Sequence, residues 1–435
     1  MRRVLLLGSG PAPGAGAVAD FAALRAWAFA RALRGAGHAV RVVWITAAGE
    51  AGAGAAGDDA VLTPAEALAA GPVEALGASA EVVVSAGPHL PGRVAARVAG
   101  ARPWFADVPG DPFAEAQALA SRGALSPEGW ADAVRAARAV LARADRLSAI
   151  SAPQADALRG QLLAAGRARE GPAPVCCVPN VYAFPQPAAA PRVRAPGAPL
   201  RVLVAGTPNA WLDGDALAAG LDAALRARAG LSVLVTGAPR AGQPPGAYTP
   251  LARLAAAWPG RVEAPGWLAS EDFAAAVAGC GVLAWMDRPG DEPHLGCRTR
   301  ALFGAWSGLA LVGTPRSAVP AALAAAGALG AVPVGGSGPL ADALVAAFDA
   351  GDDGTRCARA QAWLAAHHAP SQALAPLLDF VRSPARHPPG DDPLPAAHDA
   401  LLAELLAVRA RPTIRAANAL HRRMLAWKVR LGGTR

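Results

Sequence analysis

Lysine is almost missing from this 435-residue chain: of its 41 basic residues only one, Lys428, is not an arginine. Beside so much alanine, glycine and proline, that choice reads as coding bias. Cysteine is scarce and poorly placed for cross-linking. The five, Cys176, Cys177, Cys280, Cys297 and Cys357, are odd in number and show no C-x-x-C spacing, which argues against a disulfide frame or a zinc site and for a reducing cytoplasm. The eight histidines have no metal-ligand spacing with carboxylates or cysteines, so no metal is expected. Charged residues make up only 17% of the chain against 53% apolar, which excludes disorder. The uncharged stretches 301–315 and 317–341 are hedged by Pro315, Arg316, Pro320 and Pro333, and read as buried strands and helices, not a membrane span. The opening MRRVLLLGSGP has an apolar core too short for a secretory signal. No G-x-x-x-x-G-K-[ST] and no G-x-S-x-G occurs, and no interleaving of basic and aromatic residues suggests a nucleic-acid partner.

What is present is alternation. Apolar runs at 3–7, 40–45, 81–85, 104–108, 146–150 and 175–178 are separated by helical pattern at 18–35, 91–100, 112–144 and 151–165. Six strands alternating with helices predict a parallel sheet covered on both faces. Residues 183–199, AFPQPAAAPRVRAPGAP, hold five prolines and read as a stiff linker. The alternation then restarts at 201–206, 231–237, 261–263, 282–286, 309–314 and 331–334. The expected fold is α/β: two Rossmann-like domains, 1–182 and 200–382, facing across a cleft, followed by a helical tail at 383–435. Clefts between domains are favoured ligand sites.

The stretch from Val282 to Thr314 concentrates the chemistry. An apolar run leads into the polar loop DRPGDEPHLG, a helical segment opened by Cys297-Arg298-Thr299-Arg300, and a second apolar run. In an open parallel sheet such a loop lies at the carboxyl ends of the strands, with the next helix aiming its free N–H groups at a ligand. Cations in that first turn oppose the helix dipole unless an anion sits between them, so Arg298 and Arg300 point to a phosphate. The first loop, Gly8-Ser9-Gly10, begins like a dinucleotide fingerprint but has Pro13 where the third glycine is required, and no acid ends the following strand at Ile45-Thr46. That argues against nicotinamide or flavin binding.

Several segments together resemble the family 4 retaining glycosyltransferases of the GT-B fold. They are ALRAWAFARALRGAGHAVRVV, ADRLSAISAPQADALRGQL, VPNVY, VLVAGTPNAW, LSVLVTG and DEPHLGCRTRALFGAWSGLALVGT, in that order across residues 1–370. WFADVPGDPFAE at 104–115, with its acids spaced Asp-x-x-x-Asp-x-x-x-Glu, is similar to the acidic stretch, Asp-x-x-Asp-x-x-x-x-Glu, of a subgroup with a Gly-x-Arg-x-Arg donor helix. The resemblance implies transfer of a sugar from a nucleotide diphospho-sugar to a glycan or lipid-linked acceptor, with no cofactor beyond that substrate and no covalent nucleophile. It implies catalytic roles for Glu292, Arg298 and Arg300, and donor contacts from Gly206, Asn209, Asp287, Asp291, Gly296 and Thr299. Acceptor contacts would come from Gly14, Gly16, Asp107, Asp111 and Glu115.

The chain departs from the family where a second glutamate is expected. Arg300 stands there, or Phe303 if the alignment runs from Gly308, and the basic pair after the first strand of the second domain is missing. Arg298 and Arg300 are therefore expected to supply the diphosphate's countercharge between them. That departure also admits a sugar-nucleotide-binding relative without catalysis, and an epimerase acting on the sugar nucleotide itself. Asp111-Pro112 with Glu115 reads equally as a helix cap. Trp211 and Trp267 could stack a base or sugar, with core packing the stronger expectation for both, and neither His89 nor His294 has a visible partner. In the tail, Leu420, Met424, Trp427 and Leu431 share a helical face, and eight basic residues with no acid follow Glu404. Residues 397–435 are thus expected to lie on an anionic membrane surface, making the protein cytoplasmic and peripheral, or to pack back as an ordinary apolar stripe.

Overall fold

Continuous apolar runs such as Val82–Ala86 and Trp104–Val108 are buried along their whole length, as strands covered on both faces must be. Helices leave these strands through polar caps. Asp20, Ser126, Ser151 and Asp213 each accept an amide hydrogen bond in the first turn of the helix that follows, satisfying a donor with no intrahelical partner. The computed structural model describes residues 1–14, 20–46, 57–167, 173–239, 246 and 248–388. The tail assigned to a membrane surface lies outside them.

The first sheet has seven parallel strands: β1 (Arg3–Ser9), β2 (Ala39–Ile45), β3 (Ala60–Leu62), β4 (Val82–Ala86), β5 (Trp104–Val108), β6 (Arg146–Ala149) and β7 (Val175–Cys177), in the order β3-β2-β1-β4-β5-β6-β7. The second has six: β8 (Leu200–Ala205), β9 (Leu231–Thr236), β10 (Val262–Gly266), β11 (Val282–Trp285), β12 (Ala310–Gly313) and β13 (Leu329–Ala331), in the order β10-β9-β8-β11-β12-β13. Both are doubly wound. The strand order reverses beside β1 in one and beside β8 in the other, where a crevice opens at the carboxyl ends of the strands.

Four elements differ from the sequence reading. Edge strand β3 is only three residues long, too short for a period-two signal to show. The helical region 112–144 is two helices, Pro112–Ala120 and Pro127–Arg143, parted where Gly123 takes a φ of +64° and Ser126 caps the second. The last strand ends at Ala331, ahead of Pro333, which has no N–H to give a ladder. The proline-rich segment is strapped to the second domain, not free: Ala189 N donates to Trp306 O and Arg192 N to Gly308 O, and the Ala190 carbonyl occupies the space a Cβ on Gly308 would need. Beyond these, the Ala375–Arg382 helix, expected with the second domain, sends Leu377, Phe380 and Val381 into the core of the first, with the Phe380 ring 5.5 Å from Phe105. The chain therefore crosses between the domains twice.

Candidate functional site

The loop after β8 opens with Gly206 at φ +97°. Its carbonyl lies so near β9 that a Cβ on Gly237 would come within 2.5 Å of it. Two bare backbones therefore meet at the crevice, where a ligand can approach the main chain. The Thr299–Trp306 helix starts beside them with no side-chain cap and no acid in its first turn. Arg300, in that turn, brings Nη2 within 3.8 Å of the position a Gly206 Cβ would take. Its Nη1 is buried without a hydrogen-bond partner. Burial and the neighbouring Arg298 pull its pKa down to about 10, with Asp287 and Glu292 opposing, so the guanidinium stays charged at neutral pH.

Arg298, two residues earlier, is ion-paired through all three of its nitrogens. Its Nε donates to Asp287 Oδ1 at 2.7 Å, and Nη1 and Nη2 donate to Glu292 Oε1 and Oε2 at 3.2 and 2.8 Å. Asp287 is held further by Thr314, whose hydroxyl donates to Oδ2 at 2.7 Å and accepts from Asp287 N at 3.0 Å. Gly296 packs so closely on the Glu292 carboxylate that a Cβ there would collide with it. Arg298 thus borders the cleft with its charge paired inside its own loop, and of the expected pair of phosphate-facing guanidiniums Arg300 alone is left without a hydrogen-bonded partner among the described residues. Breaking a buried ion pair leaves an uncompensated charge, so Arg298 is committed to its own loop. Asp287 and Gly296 belong to this internal network and do not line the cleft, and Asp291 is exposed beside it. Glu292 borders the cleft with both oxygens occupied. Burial raises its pKa to about 7 against the pull of Arg298, helped by Glu115 and Asp287.

The first domain makes the opposite wall with Asp20, Phe21, Leu24, Pro109, Gly110, Glu115 and Ile150. Of the three acids expected to meet an acceptor, two are spent on the fold. Asp107 is buried under the fork of Arg25, at 2.9 Å from Nε and 2.7 Å from Nη2, and accepts from Ser148 Oγ at 2.6 Å. Asp111 caps the Pro112–Ala120 helix through the Phe113 and Ala114 amides and takes Gln161 Nε2 at 2.6 Å. Glu115 alone reaches the cleft. It meets His89 Nε2 at 3.0 Å, the partner His89 lacked in the sequence. Gly14 is not among the lining residues, and Gly16 lies outside the described residues.

Gly206, Asn209, Thr299 and Arg300 all line the cleft. So does an aromatic end that sequence reasoning missed. Phe273 and Phe303 stack with centroids 5.1 Å apart, and Phe184, from the proline-rich segment, meets Phe303 edge-on at 5.8 Å. Trp267 is fixed by donating Nε1 to Ala238 O at 2.9 Å. At the end of β9 the Thr236 hydroxyl is buried and unbonded. Trp211 lines the cleft as well. Both tryptophans follow the carboxyl end of a strand, the one sequence signal that marks ligand-facing positions in this topology. Among the described residues no group of three or more His, Cys, Asp or Glu could hold a metal, and no helix is long and apolar enough to cross a membrane.

No protein-family model and no curated protein matches the sequence. Among solved structures the chain is similar to a sucrose-phosphate synthase from Thermosynechococcus elongatus, with a TM-score of 0.65 at 14% identity over 88% of this chain and 98% of that one. It is similar to an α,α-trehalose-phosphate synthase (UDP-forming) from Burkholderia xenovorans in complex with glucose-6-phosphate, at TM-score 0.60, 11% identity and coverage of 88% and 100%. HepE of Anabaena in complex with UDP and glucose aligns at TM-score 0.59, 16% identity and coverage of 88% and 100%. At such identities the likeness shows the fold: two parallel-sheet α/β domains in the GT-B arrangement.

Proposed function

We propose that the cleft belongs to a glycosyltransferase that moves a sugar from a nucleotide diphospho-sugar to an acceptor hydroxyl. One observation carries this: a charged guanidinium with no protein partner, Arg300, stands at the strand-order reversal of the second sheet beside the bare backbone of Gly206. A buried, unpaired cation is costly, and a diphosphate would relieve that cost. In glycosyl transfer the sugar becomes oxocarbenium-like while negative charge collects on the departing diphosphate, and donors aimed at that charge lower the barrier. Arg300 and the free amides opening the Thr299–Trp306 helix provide them, with Asn209 beside them. The nucleoside extends along that helix to Phe303, Phe273 and Trp267, and the sugar lies toward Glu292. Glu115, facing it from the other wall, orients the acceptor hydroxyl. The solved structures holding UDP, glucose or glucose-6-phosphate support this reading by sharing the architecture.

The same reading extends to family 4 membership, a retaining outcome, a glycan or lipid-linked acceptor, and attachment to an anionic membrane through residues 397–435. A binding protein without catalysis remains the second reading, because both Glu292 oxygens are taken by Arg298. Incubation with a panel of labelled sugar nucleotides, with and without lipid extract, separates the possibilities. Transfer requires acceptor-dependent release of nucleoside diphosphate. Donor binding with no release leaves the binding protein, and conversion of the sugar without acceptor makes it an epimerase. If no donor binds, both readings fail.

A further inference from the structure

We infer that Asn180 is a positioning residue that fixes the start of the Arg300 helix to the buried Arg25–Asp107 pair of the first domain, and so aims the free guanidinium. Its kinetic side rests on the transferase reading. Asn180 sits where the two chain crossings meet. Its carbonyl is 2.7 Å from His368 Nδ1, and Tyr182 N donates to His368 O at 2.8 Å. Burial lowers the pKa of His368 against the pull of the Asn180 carbonyl, so the neutral ring carries its hydrogen on Nδ1, toward that oxygen. The Asn180 side chain is itself only 3% exposed. Oδ1 accepts from Arg25 Nη1 at 3.2 Å, and Nδ2 donates to Thr299 Oγ1 at 3.1 Å and Cys297 Sγ at 2.8 Å. The carboxamide thus uses both its donors and an acceptor. Arg25, which has only hydrogens to give, determines which way the amide is turned.

The four residues 297–300 are held in alternation. Cys297 and Thr299 are tied through Asn180 to Arg25, which also grips Asp107, the Val178 carbonyl at 2.6 Å and the Pro179 carbonyl at 2.9 Å. Arg298 between them is tied to Asp287 and Glu292 of its own domain. Arg300 alone is left unbonded. A long side chain without a partner owes its aim to its backbone, and that backbone is set by the residues before it. Loosening Asn180 therefore moves the cation without removing it. Charge on the diphosphate is greater in the transition state than in the bound donor, so a small error of aim costs more in kcat than in donor binding.

The test uses Asn180→Ala, Thr299→Val, their combination, and Thr299→Ser, in the full chain. We expect Asn180→Ala to lower kcat about tenfold or more with donor KM within about threefold, Thr299→Val to do the same, and the pair to cost little more than either alone. Thr299→Ser, which keeps the hydroxyl, recovers most of the kcat that Thr299→Val loses. Amide exchange at 299–302 rises in Asn180→Ala at temperatures well below unfolding. Wild-type kcat and exchange in a folded Asn180→Ala, or effects that multiply in the double variant, overturn the inference. Should Asn180→Ala fail to fold, Thr299→Val against Thr299→Ser decides by the same kinetic split and exchange. If the wild-type chain transfers sugar from no donor, the transferase reading fails, and the exchange measurements still decide whether Asn180 holds the helix.

Discussion

Behind the first domain's wall Arg25 takes both oxygens of Asp107; on the second's, Arg298 takes Asp287 and Glu292. Each arginine is buried, each spans a loop at the carboxyl end of its sheet, and each spends its charge on the fold. What remains differs in sign. The first wall leaves a carboxylate, Glu115, and the second leaves a guanidinium, Arg300, and both line one cleft. A charge neutralised inside the protein has little left for a ligand, so the chemistry falls to the residues the networks do not consume.

The strongest way to break that contrast is to exchange a consumed arginine for a free one. Arg298→Ala strands Asp287 and Glu292 without their cation, and chemical denaturation should show a loss of about 3–5 kcal/mol. Arg300→Ala removes a guanidinium that bonds nothing, so stability should hold or rise slightly. Its kcat/KM should nevertheless fall about a hundredfold or more, the usual scale for deleting a charge aimed at a developing anion. Arg300→Lys should recover only part, since an ammonium lacks the planar fork. Equal stability losses for the two alanine variants would erase the distinction, and unchanged kinetics in Arg300→Ala would remove the phosphate role.

A smaller effect sharpens the second wall. Phe303, one helical turn beyond Arg300, stacks on Phe273, and the three acids that line the cleft are each engaged within the protein, Asp20 with the Ala23 amide, Glu115 with His89 and Glu292 with Arg298. A ribose 2′-hydroxyl is often read by a carboxylate, and a site without a group bonded to it discriminates weakly against its loss. Calorimetric titration with UDP and with 2′-deoxy-UDP should give affinities within about threefold of one another. A preference of thirtyfold or more for the ribonucleotide, on the order of 2 kcal/mol, would mean that another group reads the sugar there.

Much of this was legible in the chain. Apolar runs and period-3.6 patterns separated strands from helices, the rule that ligands collect at the carboxyl ends of strands put Arg300 at the crevice, and the family resemblance pointed to Gly206, Asn209 and Thr299. Pairing was not legible. Arg298 and Arg300 are the same residue type two positions apart, and only the folded positions of Asp287 and Glu292 decide which is consumed. Asp107 finds its arginine 82 residues away, a distance over which no local pattern speaks. Asp111 was readable as a cap because a cap is local. Asn180 stood in VPNVY, one of the stretches that carry the resemblance, yet its partners, 117 and 119 residues further on, appear only once both domains are folded.

The smallest effect lies on the first wall, where the leftover acid is not wholly free. Partial desolvation tends to lower the pKa of the largely exposed His89, but the Glu115 carboxylate at 3.0 Å outweighs it and holds the imidazolium above its ordinary value. A histidine with a raised folded pKa contributes stability that is complete below its unfolded value, near 6.5, and is lost as pH rises through the folded one. Glu292, raised to about 7 chiefly by burial, follows the same sign in a lower window: its contribution fades between its ordinary value of about 4.5 and 7, before that of His89 is gone. Melting curves of wild type, Glu292→Gln and His89→Gln across pH 4 to 9 separate the two. Glu292→Gln should flatten the slope below pH 7. His89→Gln should remove a small advantage that is present at pH 6 and absent at pH 9, and Glu115→Gln should remove the same one. A His89→Gln curve that parallels wild type at every pH would mean that Glu115 is as unencumbered as Arg300, and the contrast between the two walls would then be one of sign alone.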